Sequence, residues 1–194
     1  MKHFVLYCHP DPKSFCHAIF ENIIETLRAK GHEVRVKDLY GEEFDPILKG
    51  SDFATFQAGK TPPDIKAEQD TILWAEMITL VHPVWWTGLP AMLKGYIDRV
   101  FSLGFAYAFG PDGPRGLLGG RKVVIFNTQG ALKEEYDASG MTDVMKKASD
   151  IAIYSFCGME VLDHRFFGGV PSVDDATRKR YLAEVKEVMN LLQS

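Results

Sequence analysis

Short apolar or alternating runs follow one another along this chain, separated by longer segments whose apolar residues recur at helical spacing. The runs are residues 4–8, 33–36, 77–81, 123–126 and 159–162. A strand buried on both faces reads as a continuous apolar run, whereas an amphipathic helix repeats about every 3.6 residues. The alternation of the two patterns predicts a parallel sheet that is covered by helices on both faces.

Helical spacing is found in five segments, which are residues 16–30, 64–76, 88–101, 141–155 and 174–192. Gly31 stands where a C-terminal cap is expected, and Thr61 is the predicted N-cap of the second helix, with Pro62 in its first turn. Residues 41–63 are predicted to form a loop, and the 21 residues 102–122 form a connection long enough to carry function. We predict an α/β fold in a single domain over residues 1–194, with a doubly wound five-stranded parallel sheet in the order 2-1-3-4-5.

Charge and cysteine content exclude several classes of protein. The 22 basic and 26 acidic side chains leave a net charge of -4, which does not favour nucleic-acid binding. The three cysteines are odd in number and lack metal-ligand spacing, so we predict no disulfide framework, no metal site and a cytoplasmic location. No run of about 18 apolar residues exists, and no membrane insertion is predicted.

Three loops should meet where the strand order reverses, which is where ligands bind in doubly wound sheets. They are residues 9–17, 82–90 and 127–136. In the first, Ser14 and the open N-terminus of the following helix favour a phosphate. The alternative for Ser14 is a simple helix cap.

The other two loops carry aromatic and polar side chains. Trp85 and Trp86 stand side by side, which suggests a flat apolar ligand, although either indole could instead pack in the core. The sequence NTQG at residues 127–130 offers a hydroxyl, an amide and an unhindered backbone, and Tyr136 follows shortly after. Together the three loops fit a flavin, with its phosphate on the first loop and its ring along the other two.

Several motifs occur together and in a fixed order. They are HP-x(3)-SF in the first loop, PDIKAEQ at residues 63–69, HPVWWTGLPAMLKGYIDRVFSLGFAYAF at 82–109, NTQG at 127–130 and FCGMEVL at 156–162. This series resembles the NAD(P)H:quinone oxidoreductases of the flavodoxin-like fold, and its most specific part is P-x(2)-W-x-G-x-P-A-x-L-K-G at residues 83–95. Proteins of this kind include the mammalian quinone reductase, bacterial modulators of drug activity and the ancillary subunit of a potassium-efflux system.

The resemblance implies an enzyme, an NAD(P)H dehydrogenase (quinone), with FAD as the favoured cofactor and FMN as the alternative. Such an enzyme moves a hydride from NAD(P)H to the flavin and then two electrons to a quinone, or to an azo or nitro compound, in a ping-pong cycle. It also implies a homodimer in which residues 102–122 complete the neighbour's pocket. The alternative function is a flavin-binding regulatory subunit of a membrane transporter, with incidental reductase activity.

The resemblance also assigns site residues. The flavin-binding positions it implies are His9, Ser14, Phe15, Cys16, Pro83, Val84, Trp85, Trp86, Thr87, Thr128, Gln129, Gly130 and Tyr136. The substrate pocket would contain Trp86, Tyr107 and Phe109, where Phe109 replaces a second tyrosine of many relatives. Tyr136 is the expected catalytic residue, whose hydroxyl would stabilise charge on the reduced flavin together with backbone N–H groups of the third loop. Thr142 stands where relatives often carry a histidine partner of this tyrosine.

Three further features allow other interpretations. Residues 54–61 (ATFQAGKT) match a relaxed phosphate-binding loop but lack its first glycine and a preceding strand, which disfavours a nucleoside triphosphatase. His82 and His164 have no partners at metal-ligand spacing and are predicted to be structural. Cys16 could be a reactive thiol at a helix start or a buried, inert one.

Overall fold

The predicted parallel sheet is present in the computed structural model, which describes residues 1–192. The strands are β1 Lys2–Tyr7, β2 Glu33–Asp38, β3 Met77–Pro83, β4 Tyr107–Gly110, β5 Gly113–Gly116, β6 Lys122–Thr128 and β7 Glu160–Phe167. Five of them pair in parallel in the order β2-β1-β3-β6-β7, while β4 and β5 form a separate antiparallel pair. The flavodoxin-like order predicted from the sequence is therefore confirmed.

Helices connect the parallel strands. They are α1 Phe15–Ala29, α2 Gly50–Gln57, α3 Pro63–Trp74, α4 Ala91–Val100, α5 Lys133–Ala138, α6 Met141–Lys146, a π-helix at Lys147–Ser155 and α7 Asp175–Leu191. The side chains of α1 and α7 pack in one hydrophobic core, and those of α3, α4 and the π-helix pack in the other. The sheet thus separates two cores, as the prediction of a doubly wound fold requires.

Strand β1 illustrates why the central strands read as continuous apolar runs. Phe4 and Leu6 pack in the core beneath α3 and α4, whereas Val5 and Tyr7 pack in the core beneath α1 and α7. Side chains alternate between the two faces of a strand, and here both faces are buried. Most positions of such a strand are therefore apolar, and the alternation expected of a half-exposed strand is lost.

Two structured segments lie in regions that were predicted to be loops. Helix α2 falls within residues 41–63, where Asp52 accepts the backbone N–H of Lys49 and forms a 3.0 Å ion pair with the buried Arg99. The ion pair comes from a distant helix, so it leaves no local periodic pattern in the sequence. The strands β4 and β5 fall within residues 102–122 and form a hairpin held by its own backbone ladder.

Several boundaries differ from the predictions as well. Helix α3 begins at Pro63 with Pro62 as N-cap, so the expectation that Thr61 caps it was wrong. Strand β7 runs five residues beyond the predicted end at Leu162, because the polar residues 163–165 interrupt its apolar pattern without ending its pairing with β6. The predicted helix at residues 141–155 divides into α6 and the π-helix. Among residues 1–192, no helix has both the length and the apolar character needed to cross a bilayer.

Candidate functional site

The loops that follow β1, β3 and β6 meet at the carboxyl edge of the sheet. The N–H of Val84 donates to the carbonyl oxygen of Thr128 at 2.8 Å, and the N–H of Gln129 donates to the carbonyl oxygen of Phe167 at 2.9 Å. These bonds continue the strand pairing past the ends of the strands. The loop backbones are consequently held at a fixed separation before any ligand binds.

A cleft of about 430 Å³ opens between these loops. It is lined by His9, Ser14, Phe15, Cys16, Pro83, Val84, Trp85, Thr128, Gln129, Gly130, Val170 and Pro171. All of these except the last two were named from the sequence. Val170 and Pro171 belong to the loop after β7, and the N–H of Val170 donates to the carbonyl oxygen of Gln129 at 3.2 Å. The predicted strand order places this loop at the same edge of the sheet, which was the one available signal.

The first turn of α1 forms one end of the cleft. The Ser14 hydroxyl accepts the N–H of His17 at 3.2 Å, so Ser14 does cap the helix, and it lines the cleft as well. The first N–H groups of a helix have no acceptor within the helix, and the helix dipole adds positive charge there. Because no acidic residue occupies the first turn of α1, this end of the cleft can accept an anion such as phosphate.

Gln129 lines the cleft and has a buried side-chain acceptor that is unpaired. Its side chain is buried, its Nε2 lies 3.4 Å from the carbonyl oxygen of Ala131, and its Oε1 has no hydrogen-bond partner. A buried acceptor without a donor costs about 1 to 3 kcal/mol. A ligand that offers an N–H or O–H group at this position would remove that cost.

Cys16 and His9 have shifted protonation equilibria in the cleft wall. The Cys16 sulfur lies 3.0 Å from the Thr128 hydroxyl, and burial raises the pKa of Cys16 to about 12. The thiol is therefore protonated at neutral pH, which favours the inert alternative over the reactive one. Partial burial lowers the pKa of His9, whose ring lies 5.9 Å from that of Trp85 between centroids. The cleft wall around these residues is neutral.

The turn after β3 has an unusual backbone. Trp86 and Thr87 have φ angles of 51° and 55°, in the left-handed region that non-glycine residues seldom adopt. The Trp86 side chain is 100% exposed and that of Trp85 is 40% exposed, so core packing is wrong for both indoles. Strained backbone of this kind is common where a loop binds a ligand. Thr87 lines a neighbouring cavity of about 250 Å³ that shares Val84 with the cleft.

Two of the three residues predicted to bind the acceptor, Tyr107 and Phe109, lie on the hairpin, and the third is Trp86. Tyr107 is half-buried on β4, and its ring centroid lies 5.9 Å from that of Phe109 and 5.4 Å from that of Phe156. Phe109 and Phe156 are 69% and 41% exposed. Phe156 was not named as a site residue, although it belongs to the FCGMEVL motif. We call Tyr107, Phe109 and Phe156 the aromatic cluster.

Tyr136 and Thr142 stand apart from the cleft lining. Tyr136 is half-buried in α5, and it is not among the residues that line the cleft. The Thr142 hydroxyl donates to the Asp137 carboxylate at 2.7 Å, which ties α6 to α5.

His82 and His164 both belong to a row of buried hydrogen bonds, and with Asn127 they line the 250 Å³ cavity beside the cleft. The row runs from Asp150 through His164 and Asn127 to His82, across the π-helix and strands β7, β6 and β3. All polar ring atoms of the two histidines have protein partners in this row. Residues 54–57, the start of the relaxed phosphate-loop match, are helical, so a triphosphatase loop is absent from this segment.

Comparison with known proteins assigns the family. The chain belongs to the family described as having a flavodoxin-like fold, which matches residues 1–189. It is 37% identical to an NAD(P)H oxidoreductase of Haemophilus influenzae over 92% of this chain and 89% of the relative. It is also 29% identical to NAD(P)H dehydrogenase [quinone] 1 of Cavia porcellus, over 94% of this chain and 74% of the relative.

A solved structure agrees with these matches. The NAD(P)H:quinone oxidoreductase of Methanothermobacter marburgensis superposes with a TM-score of 0.89 at 28% identity, covering 100% of this chain and 98% of that chain. The resemblance to NAD(P)H oxidoreductases and quinone reductases that the motifs indicated is confirmed, and with it the prediction that the chain is an enzyme of this group.

Proposed function

We propose that this protein is a flavin-dependent NAD(P)H:quinone oxidoreductase that works by a ping-pong cycle. NAD(P)H gives up a hydride in the first half of the cycle, and a quinone takes up the electron pair with two protons in the second. The observation that carries the proposal is the single cleft in which the α1 N-terminus, the Trp85 turn and the Thr128–Gly130 loop come together. The names of the relatives support the donor and the acceptor.

The cleft residues fit a flavin. The α1 N-terminus beside Ser14 suits a phosphate, and the unpaired Gln129 Oε1 suits the N–H of a flavin's pyrimidine ring. Pro83 to Thr87 would lie along the ring, and His9, Phe15 and Cys16 would surround the phosphate and ribose. A bound flavin supplies the redox chemistry, because its ring accepts a hydride and returns two electrons. We infer FAD, with FMN as the alternative, from the motif resemblance.

The chain's own donors would stabilise negative charge that develops on reduction. The N–H of Gln129 is already taken by the Phe167 carbonyl, so we assign this role to the N–H of Gly130 at the open end of the loop. We also retain Tyr136 as the proposed catalytic residue. Its helix α5 follows the same loop directly, and its phenol can donate a proton that a backbone N–H cannot.

Acceptor binding is proposed to need a second copy of the chain. Trp86 and Phe109 are too exposed to form a pocket within one chain, and the hairpin that carries Tyr107 and Phe109 could cover a neighbour's Trp86. We therefore propose a cytoplasmic homodimer in which Tyr107, Phe109 and Trp86 contact the quinone.

Cofactor release tests the proposal most directly. The purified protein is expected to be yellow, to release FAD on heating as identified by mass spectrometry, and to lose its colour when NADPH or NADH is added without oxygen. Menadione, a quinone, should then restore the colour. A protein that binds neither FAD nor FMN would refute the proposal. A yellow protein that keeps its colour after NADPH and NADH are added would instead support the transporter-subunit alternative.

A further inference from the structure

The hydrogen-bond partners within the buried row from Asp150 to His82 determine where its protons lie. Asn127 Nδ2 is 3.1 Å from the backbone carbonyl oxygen of His82, and a carbonyl can only accept. The amide nitrogen must therefore face His82, and Asn127 Oδ1 must face His164 Nε2, which lies 2.6 Å away. The orientation of this amide follows from its partners rather than from a choice between equivalent flips.

His82 is the neutral member of the row. Its Nδ1 lies 3.0 Å from the carbonyl oxygen of Pro83, so Nδ1 carries the hydrogen. Its Nε2 then accepts from Asn127 Nδ2 at 3.0 Å. Burial lowers the pKa of His82 to about 4, which agrees with an uncharged ring.

His164 is in the opposite situation, because both of its ring nitrogens face groups that only accept. Nε2 faces Asn127 Oδ1, and Nδ1 lies 2.8 Å from the Asp150 carboxylate. With an ionised Asp150, both nitrogens carry hydrogen in these bonds, and this geometry fits His164 as an imidazolium. Its side chain is 3% exposed, and its ring stacks on Phe166 at a centroid distance of 4.1 Å. The hydroxyl of Ser149 lies 2.6 Å from the same Asp150 oxygen and supports the counter-ion.

The orientation of this ion pair matters for the cleft. Asp150 is on the π-helix side of the ring, and Asn127 is on the side of β6, one residue before Thr128. The positive end of the pair therefore faces the strand that delivers the third loop. The neighbouring cation, Arg165, is already paired with Asp163 at 2.7 Å and with Glu184 at 3.1 Å. Away from water, a charge is felt more strongly than at the surface.

We propose that His164 is a positioning residue of the flavin site, and this inference rests on the function proposed above. Through Asn127 and His82 it holds the ends of β3 and β6 together, since His82 bonds the carbonyl of Pro83 and Asn127 precedes Thr128. Its charge favours the reduced, anionic flavin over the oxidised, neutral one. No residue of the row was assigned to cofactor binding from the motifs.

The proton positions can be tested on the protein without cofactor. Two-dimensional NMR of histidine ring nitrogens at neutral pH should show His164 protonated on both nitrogens and His82 protonated on Nδ1 alone. His164→Gln and His82→Gln assign the signals by their loss. A neutral His164 ring would overturn the inference, whatever the outcome of the flavin experiments.

The effect on the cofactor is tested with the holoenzyme. His164→Gln keeps a donor for Asn127 but removes the charge. We expect it to lower the preference for reduced over oxidised flavin about tenfold, which for a two-electron couple is about 30 mV of reduction potential measured by spectroelectrochemistry. His32→Gln is the matched control, because His32 is half-buried at the far end of α1 and is expected to leave the potential unchanged.

An unchanged potential in a folded, yellow His164→Gln protein would overturn the proposed effect of the charge while leaving the proposed function intact. If this variant does not fold, Asn127→Leu tests the positioning of the loops separately from the effect of the His164 charge. It breaks the link to the loops but keeps the Asp150 partner of His164, so weaker binding of oxidised flavin is expected. Wild-type affinity in Asn127→Leu would overturn the positioning role.

Discussion

The cleft and the aromatic cluster differ in how completely one chain builds them. The cleft loops are tied by backbone hydrogen bonds such as those from Val84 to Thr128 and from Gln129 to Phe167, and its polar groups are largely buried. Phe109 of the aromatic cluster and Trp86 of the turn after β3 are exposed to solvent. Under the proposed function, a single chain is preorganised for the cofactor but needs a second copy to complete the acceptor side. Four experiments test this contrast.

The largest effect is expected where the cleft loops touch most closely. A Cβ atom at Gly168 would lie 2.4 Å from the backbone nitrogen of Lys133 and 3.0 Å from the Ala131 carbonyl oxygen. Gly168→Ala must displace the loop after β6, so we expect loss of flavin binding and a fall of about 1 to 3 kcal/mol in the free energy of unfolding. Isothermal titration with flavin and urea denaturation measure the two. Gly50→Ala, which meets no atom within 4 Å, is the control, and equal behaviour of both variants would contradict the prediction.

The next effect concerns catalysis alone. If Tyr136 stabilises the reduced flavin, Tyr136→Phe loses a donor worth about 3 kcal/mol of activation free energy, which slows hydride transfer by roughly two orders of magnitude. Flavin affinity should stay near that of the wild type, because Tyr136 is not among the cleft-lining residues. Stopped-flow measurement of flavin reduction by NADPH decides the point. Reduction at the wild-type rate would remove Tyr136 from the mechanism.

The two neighbouring tryptophans offer a matched pair. Trp85 lines the cleft, so Trp85→Ala should weaken flavin binding about tenfold, in line with the loss of a partly buried aromatic contact of about 1.4 kcal/mol. Trp86→Ala should weaken flavin binding less, because the Trp86 indole is fully exposed, and should instead raise the KM for the quinone. Fluorescence titration measures flavin affinity, and steady-state kinetics measure the KM. The opposite pattern would show that the flavin ring contacts Trp86 more closely than Trp85.

Mild acid acts on folding stability and is expected to have the smallest effect on the cleft itself. Burial lowers the pKa of His3 to about 3 and that of His82 to about 4 in the folded protein, whereas an unfolded histidine titrates near its usual value of 6.5. Below pH 6.5 the unfolded chain therefore binds protons that the folded chain refuses, so the free energy of unfolding falls as the pH drops from 6.5 toward 4. Urea denaturation across this range measures the slope. His3→Gln should flatten it in part, and an unaltered slope would contradict the assignment.

The sequence predicted the parts of the molecule that burial dictates. The central strands β1, β3 and β6 are apolar on both faces, so their number and order could be predicted from composition and period. The cleft residues of the first three loops followed, because the topology decides which loops meet. Helix α2 could not be predicted, since it depends on the ion pair between Asp52 and the distant Arg99.

Side-chain placement within the site was harder to predict. The motif resemblance grouped Trp85 with Trp86, but the backbone turn sends one indole into the cleft wall and the other into solvent. The row of Asp150, His164, Asn127 and His82 joins residues up to 82 positions apart in the sequence, with no spacing rule to connect them. Such networks become visible only when the strands are aligned side by side.

The separation of Trp85 from Trp86 also gives the protein two optical probes in adjacent positions. An indole that is surrounded by water emits at longer wavelength than one that is enclosed, and an indole beside a yellow chromophore loses emission by energy transfer. If the proposed dimer forms, the emission of Trp86 would shift to the blue as subunit concentration rises, whereas the intensity from both indoles would fall as cofactor is added. Intrinsic fluorescence could thus follow assembly and loading separately, in one sample and without a label.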